Sequence, residues 1–123
     1  ASDSVLYGLN LAGSGFAAAQ LDRADLRSCN LRGADLRGVS LKGARLTNSD
    51  LRDCQLGPLV VSEDQRIVSR LDRAILRNVD LRGANLASAV LRGADLSNAN
   101  LVGVGLDGTI LEGTQLAGTI KAA

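Results

Sequence analysis

Residues 84–101 read ANLASAVLRGADLSNANL. Leu stands at 86, 91, 96 and 101, and the residue two before each is Ala, at 84, 89, 94 and 99. Followed outward, the phase holds. Leu recurs at 6, 11, 21, 26, 31, 36, 41, 46, 51 and 56, with Phe16 in the one gap, and again every five residues from 71 to 116. So 20 of the 22 Leu share one phase, while Leu9 and Leu59 each sit two residues before an in-phase position. Each in-phase Leu is taken here as a centre. The −2 position is small at Ala24, Cys29, Ala34, Ala44, Ser49, Cys54, Ala74 and Ala94, and large only at Leu9. Eleven of the 14 Gly lie at +2.

A period of five fits neither regular element. On an α-helix five residues rotate by ~500°, so the Leu would spiral around the rod. On a flat strand an odd period sends successive Leu to opposite faces. The pattern closes only if the chain bends once per repeat. Within a short extended piece, residues −2 and 0 then point the same way, inward. Residues −1, +1 and +2 face water, and Gly at +2 eases the corner. A chain that turns the same way at every corner becomes a coil, and successive coils pair their backbones ~4.8 Å apart. Each buried Leu is worth ~1.5–3 kcal/mol, so the Leu ladder is read as the fold and not as ligand contacts.

The rest of the composition excludes chemistry. The 123 residues contain no His, Met or Trp, one Tyr, one Phe, one Pro and two Cys, with a net charge of +1. Without His there is no Ser-His-Asp triad, no Cys-His pair and no imidazole metal ligand. Two Cys cannot build a Cys-only zinc site or a disulfide framework. No catalytic residue, cofactor site or metal site is assigned. Near-neutral charge with almost no aromatic rings argues against direct nucleic-acid binding. No apolar run approaches the ~18 residues that would insert in a membrane. Cys29 and Cys54 sit at inward positions 25 residues apart, on adjacent sides of the coil, and are expected to be buried free thiols.

The strings ADLRS (24–28), ADLRG (34–38), ANLAS (84–88) and ADLSN (94–98) resemble the A-(D/N)-L-x-x motif of the pentapeptide-repeat family. The resemblance covers roughly residues 4–56 and 69–120. It implies an all-β fold, a right-handed quadrilateral β-helix of about 20 residues per coil and five to six coils, in one domain over 1–123.

The surface is read by stacking residue n on n+20. Asp25 then meets Arg45; Asp72, Arg92 and Glu112 form an alternating column; Arg32 falls above Arg52 as a like-charge pair. Arg27, Arg32, Arg37 and Lys42, all at +1, make a basic ring around one coil that could contact an acidic partner. Asp at 25, 35, 50, 80 and 95 shares the −1 position with Asn at 30, 85 and 100. That interchange argues for a structural hydrogen-bonding role and against carboxylate catalysis.

The repeat breaks once, at 57–68, GPLVVSEDQRIV. Gly57-Pro58 signals a turn, and Pro removes a ladder donor. Val61 could still fill a centre with Leu59 as its inward partner, but Arg66 could not without burying a charge. The chain is expected to leave the coil, expose Ser62, Glu63, Asp64, Gln65 and Arg66, and return by Arg70-Leu71. Such loops on rigid scaffolds carry function. If the loop consumes two sides of the coil, the n+20 columns run through it; if not, the two halves are rotated. The open coil edges need covering, which makes a homodimer through an edge an expectation. In the last repeats the inward Thr109, Thr114 and Thr119 leave hydroxyls to satisfy.

Two functions follow as expectations. The first is a non-enzymatic scaffold that binds a protein partner through its flat faces or the 57–68 loop. The alternative is topoisomerase (gyrase) interaction by duplex-DNA mimicry, which some pentapeptide-repeat proteins perform; the loop resembles those of the Qnr quinolone-resistance group. Mimicry calls for an acidic surface. The composition fits a cytoplasmic protein, with a processed periplasmic or thylakoid-lumen protein the other option.

Overall fold

The computed structural model describes residues 3–120; residues 1–2 and 121–123, which belong to the two expected edges and complete the expected 1–123 span, lie outside the described part. Each repeat is one short extended piece followed by a two-residue turn. The −1 residues form parallel backbone bridges from coil to coil, in four columns. One column runs Val5, Asp25, Arg45, Ile75, Asp95, Gln115, and the next Asn10, Asn30, Asp50, Asp80, Asn100, Ile120. The third runs Gly15, Asp35, Gln55, Asn85, Gly105, and the fourth Gln20, Ser40, Arg70, Val90, Ile110. The columns are the four sides of the coil, with six rungs on two sides and five on the other two.

The corners explain the five-residue period. Twenty-one residues carry a positive φ of 58–73°, all five apart in the runs 3–53 and 73–118, at the +2 position. Eleven are Gly; the others are Asp, Asn, Ser, Ala and Arg, including Arg23 and Arg73. The left-handed corner is therefore imposed by the coil and not by glycine alone, at a cost of ~1–2 kcal/mol for most L-residues.

The interior is a ladder of Leu with small residues between. Leu26, Leu31, Leu36, Leu41, Leu46 and their counterparts to Leu96 are almost wholly buried, and exposure rises to 41% at Leu106 near one end and 44% at Leu9 near the other. Several polar groups at −2 are satisfied in one way. The Ser49 hydroxyl and the Cys29 and Cys54 thiols each donate to the carbonyl of the Leu 23 residues earlier, at 2.6, 2.8 and 2.8 Å. Thr109 and Thr114 do the same to Leu86 and Leu91, both at 2.7 Å, whereas Thr119 turns to Leu116 in its own repeat. Both Cys are buried and free.

At the −1 position the Asp/Asn interchange has a common geometry. In Asn10, Asp25, Asn30, Asp35, Asp50, Asp80, Asn85, Asp95 and Asn100, Oδ1 accepts the backbone N–H two residues on. Either side chain supplies that oxygen, which closes the corner as an Asx-turn. Two −1 residues depart from the outward rule: Ser40 is 7% and Val90 4% exposed. The Ser40 hydroxyl donates to the Asp22 carboxylate, and both residues lie on the side that begins with Gln20.

Candidate functional site

The break at 57–68 is a hairpin. Strand β1 is Leu59–Ser62 and strand β2 is Gln65–Ile67, antiparallel, with Leu59 opposite Ile67 and Ser62 opposite Gln65. Glu63 and Asp64 make the turn. The register shifts between Val60 and Ser62, leaving Val61 as the extra residue of a bulge.

Pro58 accounts for the exit. It occupies +2 after Leu56, the position that takes positive φ everywhere else along the coil. The pyrrolidine ring holds φ near −65°, so the corner cannot form and the chain leaves. The hairpin then consumes no side of the coil. Ser40 bridges to Arg70, Arg45 to Ile75, Asp50 to Asp80 and Gln55 to Asn85, so neighbours across the break are 30 residues apart instead of 20. Ten residues are simply inserted at one corner. Val61 does not fill a centre: it is 55% exposed and Leu59 belongs to β1, because the ladder reaches Leu71 without any rung between.

The root of the hairpin is held by a buried serine. The Ser69 hydroxyl donates to the Leu36 carbonyl at 3.1 Å and receives the Gly38 N–H at 3.0 Å. A methyl built on Gly38 would meet Cβ of Leu59 at 3.0 Å and Cβ of Ile67 at 3.2 Å, so β1 and β2 rest directly on that glycine. Beyond the root, Val60, Val61 and Ile67 are exposed alongside Ser62, Glu63, Asp64, Gln65 and Arg66. The frame is rigid and the projection is amphipathic, an arrangement that can contact another surface but brings together no nucleophile and base.

The basic ring is present in position and tempered in charge. The Arg27 guanidinium forks onto Asp25 at 2.8 and 2.7 Å, and Arg37 onto Asp35 at 2.8 Å twice. Arg27 also lies 5.3 Å from the Tyr7 ring centroid. Arg32 reaches Asp53 at 3.8 Å, and the Lys42 backbone N–H donates to Asp22. Arg52–Asp50 and Arg82–Asp80 repeat the fork. The signal was the string D-L-R: side chains at −1 and +1 flank the same corner, so Asp25 is forked by Arg27, two residues on, while Arg45 makes no hydrogen bond to it. Hydrogen bonds from Arg27 hold the Asp25 carboxyl down at about 2, and Arg37, Arg52 and Arg82 lower Asp35, Asp50 and Asp80 likewise. Burial pushes the Cys54 thiol up to about 12 and also raises Cys29.

Two corner columns are extended by the 30-residue step across the hairpin. Arg32, Arg52 and Arg82 stack on one corner through the hydrogen bonds Gly33 N–H to Arg52 O and Asp53 N–H to Arg82 O. Asp50, Asp53 and Asp80 stand between them, so the like-charge pair Arg32–Arg52 has carboxylates interposed. On another corner, Asp72, Arg92 and Glu112 alternate as expected, and the 30-residue step adds Lys42 below Asp72. Among the described residues, no three His, Cys, Asp or Glu gather to hold a metal, and no helix is long and apolar enough to cross a membrane.

Four parallel ladders with a filled bore define a β-solenoid of pentapeptide period. The chain belongs to the pentapeptide-repeat family: the family model described as pentapeptide repeats matches eight copies, over residues 19–56 and 74–113. Its fold is that family's right-handed quadrilateral β-helix. The chain is similar to the crystal structure of a pentapeptide repeat protein, Rfr23, from the cyanobacterium Cyanothece 51142, at 32% identity over 98% of this chain and 86% of that one, TM-score 0.52. It is also similar to HetL of Nostoc sp. strain PCC 7120, described as involved in heterocyst differentiation regulation, at 32% identity over 95% of this chain, TM-score 0.49, spanning 53% of that protein. A pentapeptide repeat protein of the Arabidopsis thaliana thylakoid lumen matches at 26% identity over 91% of this chain and 61% of that one, TM-score 0.40. No curated protein matches the chain.

Proposed function

We propose that this chain is a non-enzymatic scaffold that holds a protein partner through the hairpin Leu59–Ile67. The observation that carries the reading is the hairpin itself, where Val60 at 64% and Val61 at 55% exposure project from a coil whose in-phase Leu from 21 to 101 are at most 7% exposed. Exposed apolar side chains beside Glu63, Asp64 and Arg66 offer an apolar contact with a polar rim, the composition of a protein interface. The remainder of the coil supports a scaffold role, because its Leu and Asp are committed to packing and corner hydrogen bonds.

The reading is tested by excising 59–68 together with Pro58→Gly. Removing ten residues restores the five-residue phase, and glycine allows the left-handed corner that proline forbids. The excised protein is expected to keep its β-sheet circular dichroism and to lose, in a pull-down from native extract, a partner retained by the intact chain. Retention of every partner by the folded variant would sink the proposal.

The competing reading, DNA mimicry toward a topoisomerase, asks for uncompensated carboxylates. Here four of the five −1 Asp carry an Arg fork, which favours the scaffold. A gyrase supercoiling assay with excess protein, with and without fluoroquinolone, is expected to show no effect.

A further inference from the structure

A separate groove lies on the corner that stacks residues 22–23, 42–43, 72–73, 92–93 and 112–113. It has a volume of about 640 Å³ and is lined by Arg23, Lys42, Asp72, Arg73, Arg92 and Glu112, over a floor of Gly43, Gly93 and Gly113. The coils are in register here: Arg23 N–H donates to Lys42 O, Gly43 N–H to Asp72 O, Arg73 N–H to Arg92 O and Gly93 N–H to Glu112 O. Glycine at +2 leaves the space. The Arg23 stem lies 3.4 Å from a Cβ built on Gly43, and the Arg73 stem 3.4 Å from one built on Gly93, so each arginine crosses a glycine of the next coil.

The charges around this groove are not mutually spent. Asp72 is forked by Arg70, on the adjoining side of the coil, at 3.1 and 3.0 Å. Asp22 accepts from the Ser40 hydroxyl and the Lys42 backbone N–H. Asp3 is forked by Arg23. Arg92 meets Glu112 only at 3.8 Å, and that carboxylate is 82% exposed. Among the described residues, the Lys42 ammonium and the Arg73 guanidinium make no hydrogen bond or ion pair, and Lys42 acts on Asp72 only through longer-range attraction. Three cations on three successive coils therefore face one cavity while most nearby carboxylates are held by other partners.

We propose that this groove binds a small compound carrying two linked oxyanion groups, with Lys42, Arg73 and Arg92 as its contacts. Ammonium and guanidinium are donors only, so the ligand must supply acceptors, and charge-assisted pairing favours phosphate-like oxygens. Two groups suit the site because Lys42, Arg73 and Arg92 span two successive coil steps of ~4.8 Å each, a longer reach than one tetrahedral anion makes to all three. The lining holds no aromatic ring, so nothing selects a nucleobase.

The test is a titration of the ¹⁵N-labelled protein with pyrophosphate at low salt, followed by amide shifts. Saturable shifts are expected at Gly43, Gly93 and Gly113, with inorganic phosphate weaker. The double variant K42Q/R73Q is expected to weaken binding by about tenfold, two exposed charge contacts being lost together. Gly93→Asn fills the groove, and Asn already stands at positive φ at 48, 78 and 98, so its fold is retained while binding falls. R45Q/R66Q removes the same charge outside the groove and is expected to change affinity by less than about twofold. Absent or scattered shifts, or equal weakening by R45Q/R66Q, would overturn the assignment.

Discussion

The coil wall and the hairpin are built from similar residues with opposite fates. Val39 and Val79 are at most 1% exposed, while Val60 and Val61 are 64% and 55% exposed. Phase makes the difference. A valine two before a Leu centre points into the bore; a valine past Pro58 has no centre to follow. The corner is the second difference. The wall tolerates even Arg and Asp in the left-handed conformation, at Arg23, Asp53 and Arg73, because coil-to-coil hydrogen bonds hold the corner. Proline cannot reach that conformation, and one ring suffices to expel ten residues.

The contrast can be broken most forcefully in the bore. Leu46→Ala should cost about 2–5 kcal/mol in denaturant unfolding, because the neighbouring coils cannot collapse onto the void. Val61→Ala should stay within about 0.5 kcal/mol, as for other exposed sites. A Leu46→Ala loss below about 1 kcal/mol would mean that the bore is not the close-packed interior described.

Acid sharpens it next. Asp25 has its carboxyl lowered from 3.8 to about 2 by Arg27. A carboxylate lowered in the folded state adds stability above its unfolded value, and that stability disappears as pH falls from about 4 toward 2. Arg27→Gln should therefore flatten the melting-temperature profile between those values and lower the plateau above them. An unchanged profile would show that the fork makes no energetic contribution.

The smallest expected effect concerns the thiols. Burial raises Cys54 to about 12, so in the native state it should not react measurably with a thiol reagent at neutral pH, and it should react promptly in denaturant. Rapid native labelling would show that the coils open locally near that rung.

Much of the fold was legible in the chain because the solenoid is nearly one-dimensional: each residue's side, depth and neighbours follow from its place in a five-residue count. The inward Leu, the thiols at 29 and 54, the Asp/Asn oxygens at −1 and the departure at 57–68 are all local facts of that count. The site was less legible. The n+20 rule correctly set Arg92 between Asp72 and Glu112 and Asp25 against Arg45, but it gave no sign of the nearer partner of Asp25, Arg27 across a corner. Strand stacking counts neighbours above and below and misses those around a bend.

By itself the sequence determined the period, the filled bore and the point of exit, since these rest on side-chain size, alternation and the fixed φ of proline. Tertiary structure decided what lies across the hairpin. Loop closure restricts an insertion's length only weakly, so no local preference says whether ten residues replace two sides of the coil or none. The backbone bridges Ser40–Arg70 and Arg45–Ile75 decide it. With that step of 30 come the stacked arginines 32, 52 and 82, the groove beneath Arg73, and the hairpin resting on Gly38.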